Sequence, residues 1–320
     1  MQENFYRSGN LSKEKLKLLS KKSDYPAIVR FLVMYILFLA ISVLLILSWN
    51  YSWWMLSLFL LGFGILGCSL FACEHETIHN TAFNAKSLNR AAAFLCGIGH
   101  WYAPSAFRDL HFTHHRYTHE IGKDPEISLG SRPMPSPITN LPSYLGWLSG
   151  FPLIIFKTFM LLSGAIGMPN FIQKQFFPFV RKEAKVRIAI ESIVILLIQT
   201  SIAMAAILYH PGFWGLLIGQ VVAHCFLASY LVMEHNGLPH EGNILNKTRS
   251  IKTNGMVKLL MWNMPYHAEH HAYPSIPFHQ LPSLQQEIWD ELVNKEESHF
   301  QFHLKVLKGK FSISAKNNND

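Results

Sequence analysis

The sequence of 320 residues predicts an all-α integral membrane protein with about four transmembrane helices, interfacial helices and a cytoplasmic histidine-rich cap. Three observations carry this. Half of the residues are hydrophobic and only 15% are charged, against about 25% charged in ordinary soluble domains. The apolar residues collect in runs close to the roughly 20 residues that cross a hydrocarbon core. Seventeen histidines are present, many of them clustered outside those runs.

Residues 1–26 are polar and rich in lysine (Lys13, Lys15, Lys17, Lys21, Lys22). The first span, 28–48, follows Pro26; it is too long for a secretory signal core and has no small-residue cleavage site. The second, 53–73, follows an interfacial group of Trp49, Tyr51, Trp53 and Trp54. Residues 91–104 are apolar but too short to cross. Residues 141–168 are long enough, but Pro142, Pro152, Lys157 and several glycines interrupt them, which fits an interfacial or re-entrant segment. The third and fourth spans, 187–208 and 213–234, are joined by the turn Tyr209-His210-Pro211-Gly212. The whole chain, 1–320, reads as one membrane domain.

Four crossings place both termini and residues 74–186 on one side, and the turns 49–52 and 209–212 on the other. Those turns carry no Lys or Arg, so the positive-inside rule puts the larger side in the cytoplasm. The same rule accounts for the net charge of +8. No basic stripe interleaved with aromatics accompanies it, so nucleic acid is not an expected partner. Cys68, Cys73, Cys96 and Cys225 lie in or beside apolar stretches and read as small buried hydrophobes.

Three histidine clusters recur: His75-x-x-x-His79, His111-x-x-His114-His115 and His267-x-x-His270-His271. Positions i, i+3 and i+4 share one helix face, so each cluster can aim its imidazoles at a common point. His235, in Glu234-His235-Asn236-Gly237-Leu238, leaves the same end of the fourth span and is a ninth candidate metal ligand. One tetrahedral ion needs about four ligands, so this number favours two ions. Imidazole suits Zn, Cu, Fe and Ni alike. Glu76, Asp124, Glu126, Glu234 and Glu269 are candidates to orient the ligand rings. His224 reads as a hydrogen-bonded residue inside the membrane, and His100, His119, His240, His279, His299 and His303 as solvated or hydrogen-bonded side chains. His75-Glu76-Thr77-Ile78-His79 also matches the H-E-x-x-H of zinc proteases, a second reading that leaves both H-x-x-H-H clusters unexplained. A metal transporter would line its spans with ionisable residues; here Arg30 and Glu191 sit only near span ends.

The three clusters, with Arg108-Asp109-Leu110 and Arg116-Tyr117-Thr118 flanking the second, Asp124-Pro125-Glu126 after it and Trp262-Asn263-Met264-Pro265-Tyr266 before the third, resemble the membrane fatty acid desaturase and hydroxylase superfamily. The likeness runs from about His75 to Leu281. The segment around His235 is similar to the ligand-bearing stretch of bacterial membrane alkane monooxygenases. Leu231 stands where some desaturases place an asparagine. The resemblance implies a non-haem centre of two Fe ions, with O₂ as co-substrate, held by His75, His79, His111, His114, His115, His235, His267, His270 and His271. It implies oxidation of a long-chain lipid or acyl substrate, by desaturation or hydroxylation, with electrons from a separate carrier such as a ferredoxin, rubredoxin or cytochrome b5.

Overall fold

The computed structural model describes residue 6, residues 8–9 and residues 11–309; the last basic residues of the chain, on which part of the charge asymmetry rests, lie outside them. Four helices are long and apolar enough to cross a membrane. A short helix, α1 (Lys13–Leu19), leads into the first of them, α2 (Asp24–Ser48), and α3 (Trp53–Ile78) is the second. The intervening helices are α4 (Lys86–His100), α5 (Pro104–Tyr117), α6 (Leu141–Leu148), α7 (Phe151–Ala165) and α8 (Asn170–Phe176). The third and fourth long helices are α9 (Lys185–Leu208) and α10 (Phe213–His235). Beyond them lie α11 (Ile244–Lys247), α12 (Gly255–Leu260), α13 (His267–Ala272), α14 (Leu281–Ile288) and α15 (His299–Leu307).

The second long helix runs past the predicted end at residue 73. Its last turns are buried, Glu74, His75 and Glu76 included, so polar residues continue the helix instead of ending it. At 26 residues it is roughly 39 Å long, longer than a hydrocarbon core of about 30 Å. It is thus long enough to cross with about two turns to spare. The outer faces are apolar: Leu32, Val33, Ile36 and Leu37 on α2 and Val186, Ile190 and Leu197 on α9 are all exposed. A surface of that kind calls for lipid rather than water.

Small residues let α3 and α10 approach closely. A Cβ added at Gly67 would lie 2.8 Å from the Ala223 Cβ, and one at Gly219 would lie 2.5 Å from the Phe63 ring. The ends of the bundle are thereby fixed. Gly212, at the start of α10, packs on the Ile46 carbonyl, so the two short turns 49–52 and 209–212 lie at the same end. At the other end, Asn84 donates its backbone N–H to Asp24 at the start of α2 over 2.7 Å.

Residues 91–104, read above as one apolar stretch, split between α4 and α5. Trp101, at φ +60°, ends α4. Pro104 then opens α5, where its missing N–H costs no hydrogen bond. The Ser105 backbone N–H and hydroxyl both donate to Glu191 of α9, each over 2.8 Å. A carboxylate at that helix start also complements the helix dipole.

Residues 141–168 form two helices, α6 and α7, bent by 56°. Pro142 and Pro152 each occupy a first turn, and Gly150 makes the corner at φ +72°. Lys157 does not reach an aqueous surface. It is 3% exposed, with Nζ 3.1 Å from His100 Nδ1 and 3.2 Å from His224 Nε2. The bend at Gly150, more than that lysine, distinguishes this pair from a straight crossing.

Candidate metal centre

The first cluster closes α3, with His75 in its last turn and His79 as its C-cap. The second lies on α5, whose start Glu191 fixes and whose flank is tied by Asp109 to Arg181, with Arg181 Nε donating over 2.7 Å. The third is α13, six residues preceded by Tyr266 as N-cap. His235 is the last residue of α10. Four separate elements thus bring nine rings into one buried region.

The rings divide into two groups. Ligand atoms of His75, His79, His111, His115 and His270 lie within 4.8 Å of one another, and so do those of His114, His235 and His271. His267 adjoins the second group, its Nε2 2.8 Å from His235 Nε2. His115 Nε2 lies 2.9 Å from His111 Nε2 and 3.1 Å from His270 Nε2, inside the first group.

The tautomers make the geometry decisive. His235 Nδ1 faces the Lys247 carbonyl at 2.9 Å, so it must carry the proton and donate. His114 Nδ1 donates to Asp124 Oδ1, also over 2.9 Å. His235 is then left with a bare lone pair on Nε2, onto which His267 Nε2 at 2.8 Å and His114 Nε2 at 3.2 Å converge. That convergence calls for a cation among the nitrogens, a proton on His114 or a metal ion. A metal ion fits that requirement, and so do the buried nitrogens of His75, His79 and His271 that have no protein partner.

The electrostatics agree. Burial alone would lower His114, yet Asp124 and Glu126 hold it at about 9, so that corner retains a positive charge when no metal is bound. His79, His111, His115, His267 and His271 are held well below the ordinary histidine value by burial and by neighbouring imidazoles. His270 falls to about 3 for the same reasons. Neutral imidazole is the form that binds metal.

Of the five carboxylates expected to orient rings, one is hydrogen-bonded to a ring and two lie close to one without a hydrogen bond. Asp124 is bonded to His114, Glu126 lies 3.6 Å from His114 Nδ1, and Glu234 lies 3.3 Å from His267 Nδ1. The other two face elsewhere, which corrects the expectation. Glu269 accepts from Ser250 and Gln285 at 3.0 and 2.7 Å. Glu76 accepts the Phe278 backbone N–H at 3.1 Å, so the H-E-x-x-H glutamate is not aimed at the histidines as a protease would need.

The remaining histidines are hydrogen-bonded or pack at helix surfaces. His119 and the Pro239 carbonyl lie 2.9 Å apart, and His303 sits between Tyr144 and Ser229. His100 is buried and pairs with Glu74 at 2.5 Å as well as with Lys157. This Glu74–His100–Lys157–His224 chain was not evident in the sequence beyond its isolated polar residues. The only available signal was a lysine and a histidine inside apolar runs.

Apolar helices long enough to cross a membrane, capped by a buried nine-histidine region able to hold metal, define a class of membrane proteins with a histidine-ligated centre. A model of the fatty acid desaturase family matches residues 51–303, and the chain belongs to that family. It is 28% identical over 240 residues to a Caenorhabditis elegans protein provisionally named a sphingolipid delta(4)-desaturase/C4-monooxygenase, covering 69% of this chain and 55% of that one. The sphingolipid delta(4)-desaturase of Komagataella phaffii is 24% identical over 216 residues, 67% of this chain and 56% of its own. That of Candida albicans is 26% identical over 260 residues, 76% and 65% respectively. The chain thus spans little more than half the length of the first two relatives.

Proposed function

We propose that this chain is an oxidoreductase that uses O₂ to desaturate or hydroxylate a long-chain lipid. Its centre is two irons, held by His75, His79, His111, His115 and His270 on one side and by His114, His235, His267 and His271 on the other. The observation that carries the reading is the convergence of buried histidine nitrogens in two groups, each with its ligand atoms within 4.8 Å of one another, and with His267 beside the second. Bound irons would supply O₂ activation strong enough to take hydrogen from an unactivated C–H bond, which side chains alone cannot do.

The protein's own contribution is positional. Asp124 and the Lys247 carbonyl fix two ring tautomers, Glu234 lies within reach of His267 Nδ1, and α3 and α10 offer an apolar wall open to lipid. Desaturation removes two hydrogens from the lipid while O₂, two electrons and two protons become two waters. The electrons come from a separate carrier, a ferredoxin, rubredoxin or cytochrome b5. Membrane orientation follows the charge asymmetry, with the histidines on the cytoplasmic side. The relatives' names favour desaturation with hydroxylation as a neighbouring outcome.

The test is lipid product analysis with purified protein, a reduced carrier and O₂. Wild type should contain about two irons per chain. His114→Ala and His270→Ala should each lose iron and reduce turnover below detection. One stoichiometric zinc with undiminished activity in iron-free medium, or no oxidised lipid at all, would overturn the reading. Turnover without any carrier would remove that part of it.

A further inference from the structure

A cavity of about 240 Å³ lies between α3, α10, α12 and α15, and its walls include Ile65, Cys68, Phe226 and Met261. Tyr230, Ser229, His299 and His303 supply its polar groups. His303 is already committed, with Tyr144 at Nδ1 and Ser229 3.1 Å from Nε2. The Tyr230 hydroxyl and His299 Nε2 are different: both are buried atoms with no hydrogen-bond partner, and their rings lie 5.5 Å apart. Tyr230 is 6% exposed. An unpaired buried polar group is costly, so a donor and a possible acceptor left open in one cavity point to a ligand.

The cavity is aligned with the metal centre. On α3, Cys68 precedes His75 by seven residues and shares its face. On α10, Tyr230 precedes Glu234, which contacts His267, by one turn. These offsets put the cavity roughly 6–11 Å from the histidines along the helix axes. Ile65 on its wall is 41% exposed, so the cavity borders the lipid-facing side.

The wall carries no carboxylate, lysine or arginine among the described residues. Burial, together with neighbouring His303, lowers His299 to about 4, so the polar end is neutral near pH 7. A carboxylate, phosphate or coenzyme A headgroup would lose its hydration there without gaining a countercharge.

From the open Tyr230 and His299 groups in an uncharged cavity aligned with the histidines, we infer that this is the substrate-selecting site. It binds a neutral hydrogen-bonding group, a hydroxyl or amide, carried on the same lipid chain as the position oxidised. This rests on the lipid-oxidation reading above. Tyr230 and His299 are positioning residues, which read the substrate without touching the reacting carbon.

The test uses iron-loaded enzyme in nanodiscs and three lipids of equal chain length: an N-acyl amino alcohol, its analogue lacking the hydroxyl, and the free fatty acid. Displacement of a fluorescent N-acyl amino alcohol measures binding independently of turnover. Wild type should prefer the hydroxylated amide. Tyr230→Phe keeps the ring and should raise KM for it about tenfold with kcat within about twofold, while removing discrimination against the analogue. His299→Leu should weaken displacement similarly. Preference for the free acid, or Tyr230→Phe with unchanged KM and discrimination, would overturn the inference. Tyr230-dependent binding without oxidation of any lipid would sink the oxidase reading and leave the cavity assignment standing. Tyr230-independent binding without oxidation would sink both.

Discussion

The Nδ1 partners of His114 and His235 decide more than any ligand count, because they determine which nitrogen is free to bind. Asp124 is the most heavily used of these partners. It accepts from His114 Nδ1 and the Glu126 backbone N–H through Oδ1, each over 2.9 Å, and from the His119 backbone N–H through Oδ2 over 2.8 Å. An asparagine there keeps the size but cannot accept at both positions, because one becomes an amide donor. Asp124→Asn should therefore weaken metal binding about 10- to 100-fold with the helical content unchanged, as read by metal titration and circular dichroism. Wild-type affinity would show that Asp124 does not orient the centre. The nine histidines were legible because i, i+3, i+4 spacing has a geometric meaning. The carboxylates were less so, since Glu76 and Glu269 adjoin ligands in sequence but point about 100° away on the helix and bond to Phe278 and to Ser250 and Gln285.

Among the elements, the long helices were legible from apolar length, and their ends were not. The second span was predicted to stop at 73 because charge began there, whereas burial against α4, α5 and the C-terminal segments carries α3 on to Ile78. The bent pair α6–α7 shows what sets such irregularities. Gly150 adopts φ +72°, and a Cβ there would lie 2.6 Å from the His224 carbonyl carbon and 2.8 Å from the Cys225 nitrogen. Those are backbone atoms of α10, which cannot swing aside as a side chain can. Gly150→Ala should combine left-handed strain of about 1–2 kcal/mol with displacement of α7 from α10, and Lys157 would lose its alignment with His224. Gly146, in α6, has nothing within 4 Å of an added Cβ, so Gly146→Ala should leave stability the same or slightly higher. Thermal unfolding in detergent checks both. Equal melting of the two variants would mean that the corner at Gly150 yields without cost.

At the scale of the whole molecule, the histidine centre constrains how the chain lies in the membrane. α3 carries His75 in its last turn and α10 ends at His235, and α5 and α13 bring their clusters to the same place, so a shared centre requires all four at one membrane face. The two turns 49–52 and 209–212 meet at the opposite end, where Tyr51 and Tyr209 are 81% and 83% exposed. Two readings of the bent pair remain physically distinct. As one complete crossing, it would carry residues before 141 and after 168 to opposite faces and separate the first two clusters from the third. Entering and returning, it leaves every cluster together; the 56° bend itself fits a broken span as well as a re-entrant segment. We therefore predict that single cysteines at Ser131 and Lys252, both exposed on the histidine side, react with an impermeant thiol reagent only from the cytoplasmic face. One at Asn50, exposed in the far turn, should react only from outside. Cys225 is the native thiol to remove first, since Cys68, Cys73 and Cys96 are buried. If Ser131 and Lys252 were labelled from opposite faces, residues 141–168 would be a crossing and the nine histidines could not share a centre in the membrane-inserted protein. If all three positions reacted from the faces opposite to those predicted, the shared centre would stand and its cytoplasmic placement would fall.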